Sequence, residues 1–529
     1  MSAAAVVGSR FDLDLLTRLF VEPAVADLLA AQLIDQVRFT RQPEYVFHHS
    51  LIRTVAYESQ LKSDRAELHR RLAAAIEERD RDSVGEHAAL IAEHLEAAGD
   101  LRAAYTWHMR AGRWAATRDI GAAWASWERA RQVADALPAD DPDRTAMRIA
   151  PRAWLCGNAF RVHEHVAGAR FDELRELCGD AGDKASLAIA MAGLVADHAF
   201  QARLREASQL ASEAMALIES VGDPTLTVGL SGMPVYAKVE NAEWLDALRW
   251  SQRVIDLADG DPSKGNFILG SPLALAFASR AVARLELGRP GWRDDQRRGL
   301  AMARSADPVS YATAVAWVYF PQISKGVLAA DDRAMPEIED ALRIAQRSGD
   351  DLAVAFARLT LGFALVHRNT NAERDRGHEL LAGVSDVFVR RGHNLADLPI
   401  VDVYLARERA WRGDRDDAIP LMRAAVDYLF REGRLLAWSA PATGVLVETL
   451  LDRGADGDVV EAEAAFERLA AAPADDGLVI RDIWLLRLRA LLARAHGDEP
   501  AYRDYRDRYR AMATELGFEG HMEWAEAMP

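Results

Sequence analysis

The sequence predicts an all-α chain of antiparallel helix pairs wound into a right-handed superhelix, preceded by a short segment of mixed character. Three observations carry this. From about residue 61 onward, apolar residues recur at intervals of three and four, which places them on one helix face. Half of the residues are hydrophobic and 27% are charged, which suits a packed protein; alanine is abundant, a balance that favours helix. The breaks repeat one dipeptide, glycine then aspartate, at 99–100, 182–183, 222–223, 260–261, 349–350, 413–414, 457–458 and 497–498. Glycine takes the left-handed conformation that ends a helix, and aspartate caps the next one. Several neighbouring breaks lie 38–44 residues apart, the length of one helical hairpin with its turns.

The elements follow in order. In residues 1–60, the stretches 11–20 and 25–37 carry apolar residues at helical spacing, with Asp12 or Asp14 placed to start the first and Pro23 to open the second. Residues 38–40 and 45–47 flank a turn at Arg41, Gln42, Pro43 and Glu44 and predict a small hairpin. A helix follows over 50–61. Helix, helix, hairpin, helix is the order of a winged-helix unit. Residues 61–115 read as connecting helices leading into repeats, and 116–529 as the repeat array. The stretches 101–107 and 415–421 each follow a Gly-Asp turn, and in both a small residue lets two helices approach while larger neighbours fill the groove.

A net charge of −17 repels phosphate backbones, so nucleic acid is not an expected partner; a surface of this sign favours basic or amphipathic partners. One stretch runs the other way, with Arg38, Arg41, Arg53, Lys62, Arg65, Arg70, Arg71, Arg79 and Arg81. It fits a phosphate contact or, more simply, solvated helix faces with Arg65, Arg70 and Arg71 paired to Glu67 and its neighbours. Cys156 and Cys178 are too few for a disulfide framework and read as small core residues. No apolar run reaches the roughly 20 residues of a membrane span, and residues 1–8 lack the basic leader and length of a signal peptide. The cytoplasm is the expected compartment.

Residues 47–58 (FHHSLIRTVAYE), continuing through Arg65 to 68–72 (LHRRL), resemble a signature of bacterial, often actinobacterial, STAND/AAA-type signalling ATPases. In that family the ATPase precedes a winged helix and a tetratricopeptide-like (TPR-like) helical region. Some members carry a class III adenylate cyclase domain, and others end in a LuxR-type helix-turn-helix. Residues 4–12 (AAVVGSRFD) resemble the family's lead-in to the winged helix, and 515–521 (ELGFEGH) with 524–529 (WAEAMP) resemble the terminus of the cyclase-linked members. The likeness is motif-grade over about 4–115 and at the C-terminal end, and architectural between. It implies a TPR-like superhelix behind a winged-helix remnant of an ATPase lid. The departures are as informative: none of the 34 glycines is followed by lysine, so the Gly-Lys-Ser/Thr of a phosphate-cradling P-loop is absent, and no stretch reads as a cyclase domain. The chain then corresponds to a stand-alone descendant, a partner of a separately encoded ATPase or cyclase, or a frame-split fragment.

The resemblance implies that His49, between the wing strand and the following helix, with Arg53, is a nucleotide-sensor candidate; the plainer reading is a histidine that satisfies a helix terminus, with Arg53 and Tyr57 one and two turns on. His87 and His94, seven apart on one predicted helix face, would lie about 10 Å apart, too far for one metal. His163 and His165 point to different sides of a helix. His378 and Glu379 begin a zinc-protease pattern that has Ala382 where the second ligand belongs. Neither metal nor cofactor is expected. Gly229, Ser231 and Met233 miss the last glycine of a nucleophile elbow, and the acid pairs Asp140-Asp141, Asp331-Asp332 and Asp416-Asp417 fit helix caps. Tyr105, Trp107, Trp114, Trp124 and Trp127 fall at helical spacing and read as core, the first four being candidates for groove or partner contacts; Trp244, Trp250, Trp317, Trp411, Trp438 and Trp484 recur similarly down the array. The expected function is a non-catalytic regulatory or scaffold protein that binds a protein segment or small effector in a helical-repeat groove. The alternatives are a transcriptional regulator fragment using its winged helix, and an accessory subunit of a separate cyclase or ATPase.

Overall fold

A computed structural model of the chain describes residues 1–19, 24–38, 43–162, 169–268, 270–392, 394–431, 437–472 and 477–529. They form two compact units, Met1–Leu155 with Glu176–Gly182, and Cys156–Arg175 with Asp183–Pro529.

The first unit opens with the helix Ser2–Val7, β1 (Arg10–Asp12), the helices Leu13–Arg18 and Val25–Ala30, β2 (Ile34–Arg38), β3 (Glu44–Phe47) and the helix Ser50–Glu58. The strands make one antiparallel sheet in the order β1-β3-β2, with Phe11 opposite Tyr45 and Ile34 opposite Phe47. Phe11, Ile34, Tyr45 and Phe47 share a core with Ala3, Val6, Leu72 and Ile76, so the sheet is clamped between the first helix and the long helix Lys62–Arg79.

Two sequence expectations are corrected here. The helix expected over 11–20 begins only at Leu13, because Arg10–Asp12 pairs with β3; the Asp12 carboxylate then accepts from the Leu15 amide at 2.7 Å and caps the helix. The helix expected over 25–37 stops at Ala30, Gln32 takes a left-handed φ of 54°, and Ile34 starts β2. Strand pairing overrides the helical spacing of a short apolar run. The hairpin strands are correspondingly 34–38 and 44–47, while Pro23, Phe39, Thr40, Arg41 and Gln42 lie outside the described residues. Beyond Lys62–Arg79 the unit continues as the helices Ala88–Ala97, Leu101–Ala115 and Ile120–Asp135. Gly112 lies against the Trp127 indole so closely that a Cβ there would overlap it.

The second unit is a TPR-like array of helix pairs: Lys184–Phe200 with Leu204–Val221, Gly232–Glu240 with Trp244–Ala258, Pro272–Glu286 with Trp292–Ala306, Pro308–Ser324 with Met335–Ser348, Asp351–Val366 with Asn371–Arg391, Leu398–Trp411 with Arg415–Arg431, Ser439–Arg453 with Asp458–Ala470, and Val479–Ala495 with Glu499–Leu516. The helix Glu519–Glu526 follows. The glycines of all eight Gly-Asp breaks have positive φ. At the 349–350 break, Gly349 (φ 70°) ends one helix and Asp350 accepts from the Ala353 amide at 2.9 Å to start the next. Asp100, Asp183, Asp223 and Asp498 cap in the same way, whereas Asp261 holds a turn at Ser263. Neighbouring pairs are also joined by ion pairs about one repeat apart: Arg412 to Asp375, Arg453 to Asp416, and Arg423 to Glu461. Among the described residues, no helix is long and apolar enough to cross a membrane.

In a simple repeat solenoid each unit touches only its neighbours. The second unit departs from that. The amides of Glu519 and His521 donate to the carbonyls of Val327 and Gly326, both at 2.8 Å. Arg293 donates to the Gly517 carbonyl at 2.6 Å, Leu478 shares a core with Trp244 and Val282, and buried Arg161 bridges the Ile268 carbonyl and Asp350 at 3.0 and 3.2 Å. The array therefore closes on itself across nearly two hundred residues.

Gly326 (φ 75°) carries that closure: a Cβ would sit 2.5 Å from the Trp524 ring, whereas Gly497 (φ 72°) has nothing within 4 Å. Gly497→Ala should cost about 1 kcal/mol, from backbone conformation alone. Gly326→Ala should cost about 2–4 kcal/mol through added overlap, measured by urea unfolding of the full chain. Equal costs would mean that the contact does not bear on stability.

Candidate functional site

The first helices of successive pairs in the second unit face one another across a wall of aromatic rings. Phe160 meets Phe200 at 5.5 Å between centroids, Phe200 meets Tyr236 at 5.3 Å, and Tyr236 stacks on Trp317 at 5.4 Å. Further along, Phe320 packs on Phe363 and Trp438 at 4.6 and 4.8 Å, and Phe363 meets Tyr404 edge-on at 5.0 Å. Helices such as Pro272–Glu286 and Pro308–Ser324 are buried along almost their whole length, so a large ring at each repeat reaches the next, with geometries that favour offset or tilted contact. A small apolar recess opens in this wall between Tyr236, Trp244, Trp317, Phe320 and Trp438. Lys325 in its lining is buried, paired with Glu286 and set over the Trp244 and Trp438 rings at 5.6 and 5.2 Å. Burial pushes the Glu286 carboxyl up against the pull of Lys325.

A larger cavity of about 350 Å³ lies further along, where the ends of Asp351–Val366 and Leu398–Trp411 meet Ser439–Arg453, Val479–Ala495 and the last helix. Its floor is polar and tightly ordered. Arg374 makes two hydrogen bonds, 3.0 and 2.7 Å, to the fully buried Glu408. Arg407 bonds the same carboxylate at 3.1 Å and the Val366 carbonyl. The His367 Nδ1 faces the Phe363 carbonyl at 2.7 Å; burial, then Arg407 beside it, push this imidazole down to about 3, so it is neutral at pH 7. Arg487 donates to Glu448 at 2.8 Å with its guanidinium 4.9 Å over Trp524. Trp411, half-exposed at 51%, lies under the Arg374 guanidinium at 4.3 Å. Burial, then Glu448, raise the Asp452 carboxyl. Arginine forks and aromatic faces thus lie side by side in the cavity wall, the pairing on which cation–π and bidentate contacts depend.

Of the residues singled out in the sequence, Trp411 and Trp484 line this cavity, while His49, Arg53, Tyr105, Trp107, Trp114 and Trp124 lie in the first unit. Tyr105, Trp107, Trp114 and Trp124 are half-buried. Tyr105 packs with Leu137 and Met147, Trp107 against the Leu72 and Ile76 core, and Trp114 and Trp124 around Trp127. Burial pushes the Tyr105 hydroxyl up to about 12. The His49 Nδ1 accepts from the Leu51 amide at 3.1 Å and caps Ser50–Glu58, and Arg53 donates to the Ala5 carbonyl at 3.1 Å. His87 precedes the helix Ala88–Ala97 and faces Asp80 at 3.4 Å, so it does not share a helix face with His94. His163 and His165 lie outside the described residues. Of the tryptophans placed down the array, Trp244, Trp250, Trp438 and Trp484 are buried and Trp411 is exposed. The sequence reading noted Trp411 and Trp484 but did not anticipate the cavity's charged lining. Its signal was a recurrence of arginines and glutamates one repeat apart, Arg374 with Glu408 and Glu448 with Arg487, separated by 34 and 39 positions.

A chain of hydrogen bonds runs through the first unit: the Tyr57 hydroxyl to His69 Nε2 at 3.0 Å, and His69 Nδ1 to His94 Nδ1 at 3.1 Å. Both imidazoles are depressed to about 4, chiefly by burial, with Arg65 and Arg53 adding at His69 and His69 adding at His94.

No family model matches the chain, and no curated protein matches it. Among solved structures it is similar to a signal transduction ATPase with numerous domains (STAND) protein with a tetratricopeptide repeat sensor from Pyrococcus horikoshii (10% identity over 91% of this chain, TM-score 0.41). This chain spans 64% of that one. It is also similar to a Rap protein in complex with competence and sporulation factor (10% identity, 80% of this chain and 99% of that one, TM-score 0.37) and to yeast Tom70 (11%, 88% and 94%, 0.33).

The paired histidines make stability depend on pH. The unfolded chain binds protons on them near pH 6.5 and the folded chain only near 4, so the stability present above pH 6.5 is lost as the pH falls towards 4. Urea midpoints should fall across that window, and less steeply in His94→Gln, which removes one titrating ring and keeps a partner for His69. An unchanged slope would rule the pair out as its source.

Proposed function

We propose that this chain is a non-catalytic regulatory or scaffold protein whose helical array binds a peptide segment or small effector. The observation that carries the reading is the cavity at Trp411. It has the size of a small-ligand site, the buried Glu408 holds two of its arginines, Arg374 and Arg407, in place, and an exposed tryptophan stands at its rim. No nucleophile paired with a base is found among its lining residues. Accordingly, Trp411→Ala should weaken binding of a cognate peptide or effector at least tenfold while leaving the helical circular dichroism unchanged. Turnover of ATP by the chain alone, or ligand binding indifferent to Trp411, would overturn the reading.

We infer further that residues 1–60 are a winged-helix-like unit of the kind the sequence resemblance implies, a remnant of an ATPase lid region suited to docking on a separately encoded ATPase or cyclase. The order helix, strand, helix, helix, strand, strand around one antiparallel sheet supports this. A transcriptional role finds less support, because the basic run is largely engaged within the unit. Arg53 bonds the Ala5 carbonyl, Arg65 lies 4.5 Å over the Tyr57 ring, Arg70 and Arg71 pair with Glu67, and Arg79 pairs with Asp12 and Asp80. DNA mobility at low salt should therefore be unaffected by the chain; salt-sensitive retention would favour the transcriptional reading.

A further inference from the structure

We propose that the aromatic recess between Trp244 and Trp438 is a second binding site, which takes the carbonyl end of a small uncharged molecule, a ketone or an ester. It shares no lining residue with the cavity at Trp411. The inference therefore does not rest on the function proposed above.

The size and lining of the recess set the first limit. Its volume is about 50 Å³. One water needs roughly 10–15 Å³, so about four heavy atoms fit: the end of a ligand, with the rest emerging. Two ring pairs bound the space, Tyr236 stacked on Trp317 at 5.4 Å and Phe320 tilted on Trp438 at 4.8 Å. A lining of this kind favours an apolar body with few polar atoms.

The second observation is a pair of unmet donors. Trp244 and Trp438 are 1% and 4% exposed, and neither indole Nε1 has a hydrogen-bond partner among the described residues. Both residues line the recess. A buried donor left unpaired is destabilising, and native proteins keep few of them. An indole N–H donates and accepts nothing, so the missing partner is an acceptor. Water supplies one, but it brings two protons of its own to a lining that is chiefly ring and hydrocarbon. A carbonyl oxygen brings two lone pairs and no proton.

Charge sets the last limit. An anion would meet Glu240 and Asp397 in the same lining. A cation would meet Lys325, whose ammonium is held by Glu286 and already lies over both indole rings. The recess disfavours either sign, and the ligand it suits is neutral. An amide carbonyl carries an N–H that again needs an acceptor, which sets a peptide apart from a ketone or ester.

The test uses the full chain, isotopically labelled on its tryptophan nitrogens and titrated by nuclear magnetic resonance. The probes are cyclohexanone, methylenecyclohexane, in which a methylene replaces the oxygen, and valerolactam, the amide of the same ring size. The Trp244 and Trp438 indole signals are identified by their loss in Trp244→Phe and Trp438→Phe. Cyclohexanone should move at least one of those two indole protons downfield and bind about tenfold more tightly than methylenecyclohexane. That preference should fall several-fold in the variant whose proton moves, which keeps a ring and loses the donor. Equal affinity for the ketone and the alkene overturns the proposal, and so does no binding of either. A shift confined to Trp484, whose N–H at the Trp411 cavity also lacks a partner, overturns it as well. Valerolactam binding more tightly than cyclohexanone overturns it in favour of a peptide. If a variant fails to fold, the affinities of the unmodified chain for the ketone, the alkene and the lactam decide the matter.

Discussion

The second unit depends on a contact between residues almost two hundred positions apart: the amides of Glu519 and His521 on the carbonyls of Val327 and Gly326, sealed by Trp524 over Gly326. In an open solenoid, stability is a sum of local terms and the ends fray. Here the last helix is anchored on the middle of the array, and Trp524 and Trp484 become walls of the large cavity. The same seat thus bears on both the stability of the array and the position of its large cavity. The closure is also reinforced sideways, through Arg293 on the Gly517 carbonyl and Arg161 on Asp350.

Polar groups inside the array are arranged in pairs. Glu286 with Lys325, Asp295 with Arg280, and Glu408 with Arg374 are each buried or nearly so. Two charges taken out of water recover their hydration only if geometry is good, and breaking one partner leaves the other stranded, at about 3–5 kcal/mol. Such pairs add little net stability over a well-packed apolar pair, yet they tolerate few alternative packings. The exposed arginine–carboxylate staples between repeats are worth far less individually, and their regular spacing reflects the repeat geometry more than its cause.

Much of this architecture was legible in the sequence, because it is written in local chemistry. A glycine at positive φ followed by a capping aspartate needs no knowledge of the rest of the chain, and the breaks at 99–100, 182–183, 222–223, 349–350 and 497–498 behave accordingly. Where tertiary pairing decides, local reading failed. Residues 34–38 look helical until β3 offers them a partner, and Arg10–Asp12 is a strand for the same reason. The candidate site was legible only in Trp411 and Trp484, two of the tryptophans that recur down the array. Tyr105 and Trp107 drew notice as clustered aromatics, whereas the cavity assembles Trp411, Arg415, Trp484, Arg487 and Trp524 from helices that only the closed array brings together. No spacing rule anticipates a contact whose partners are separated by several repeats.

The location of the closing helix has a consequence for biosynthesis. Its seat at residues 326–327 is made long before residues 519–526 leave the ribosome. Throughout that interval the nascent array holds an uncovered apolar slot beside His521's eventual position, the sort of surface on which chaperones act. Completion of this unit is thereby deferred until translation of its final helix.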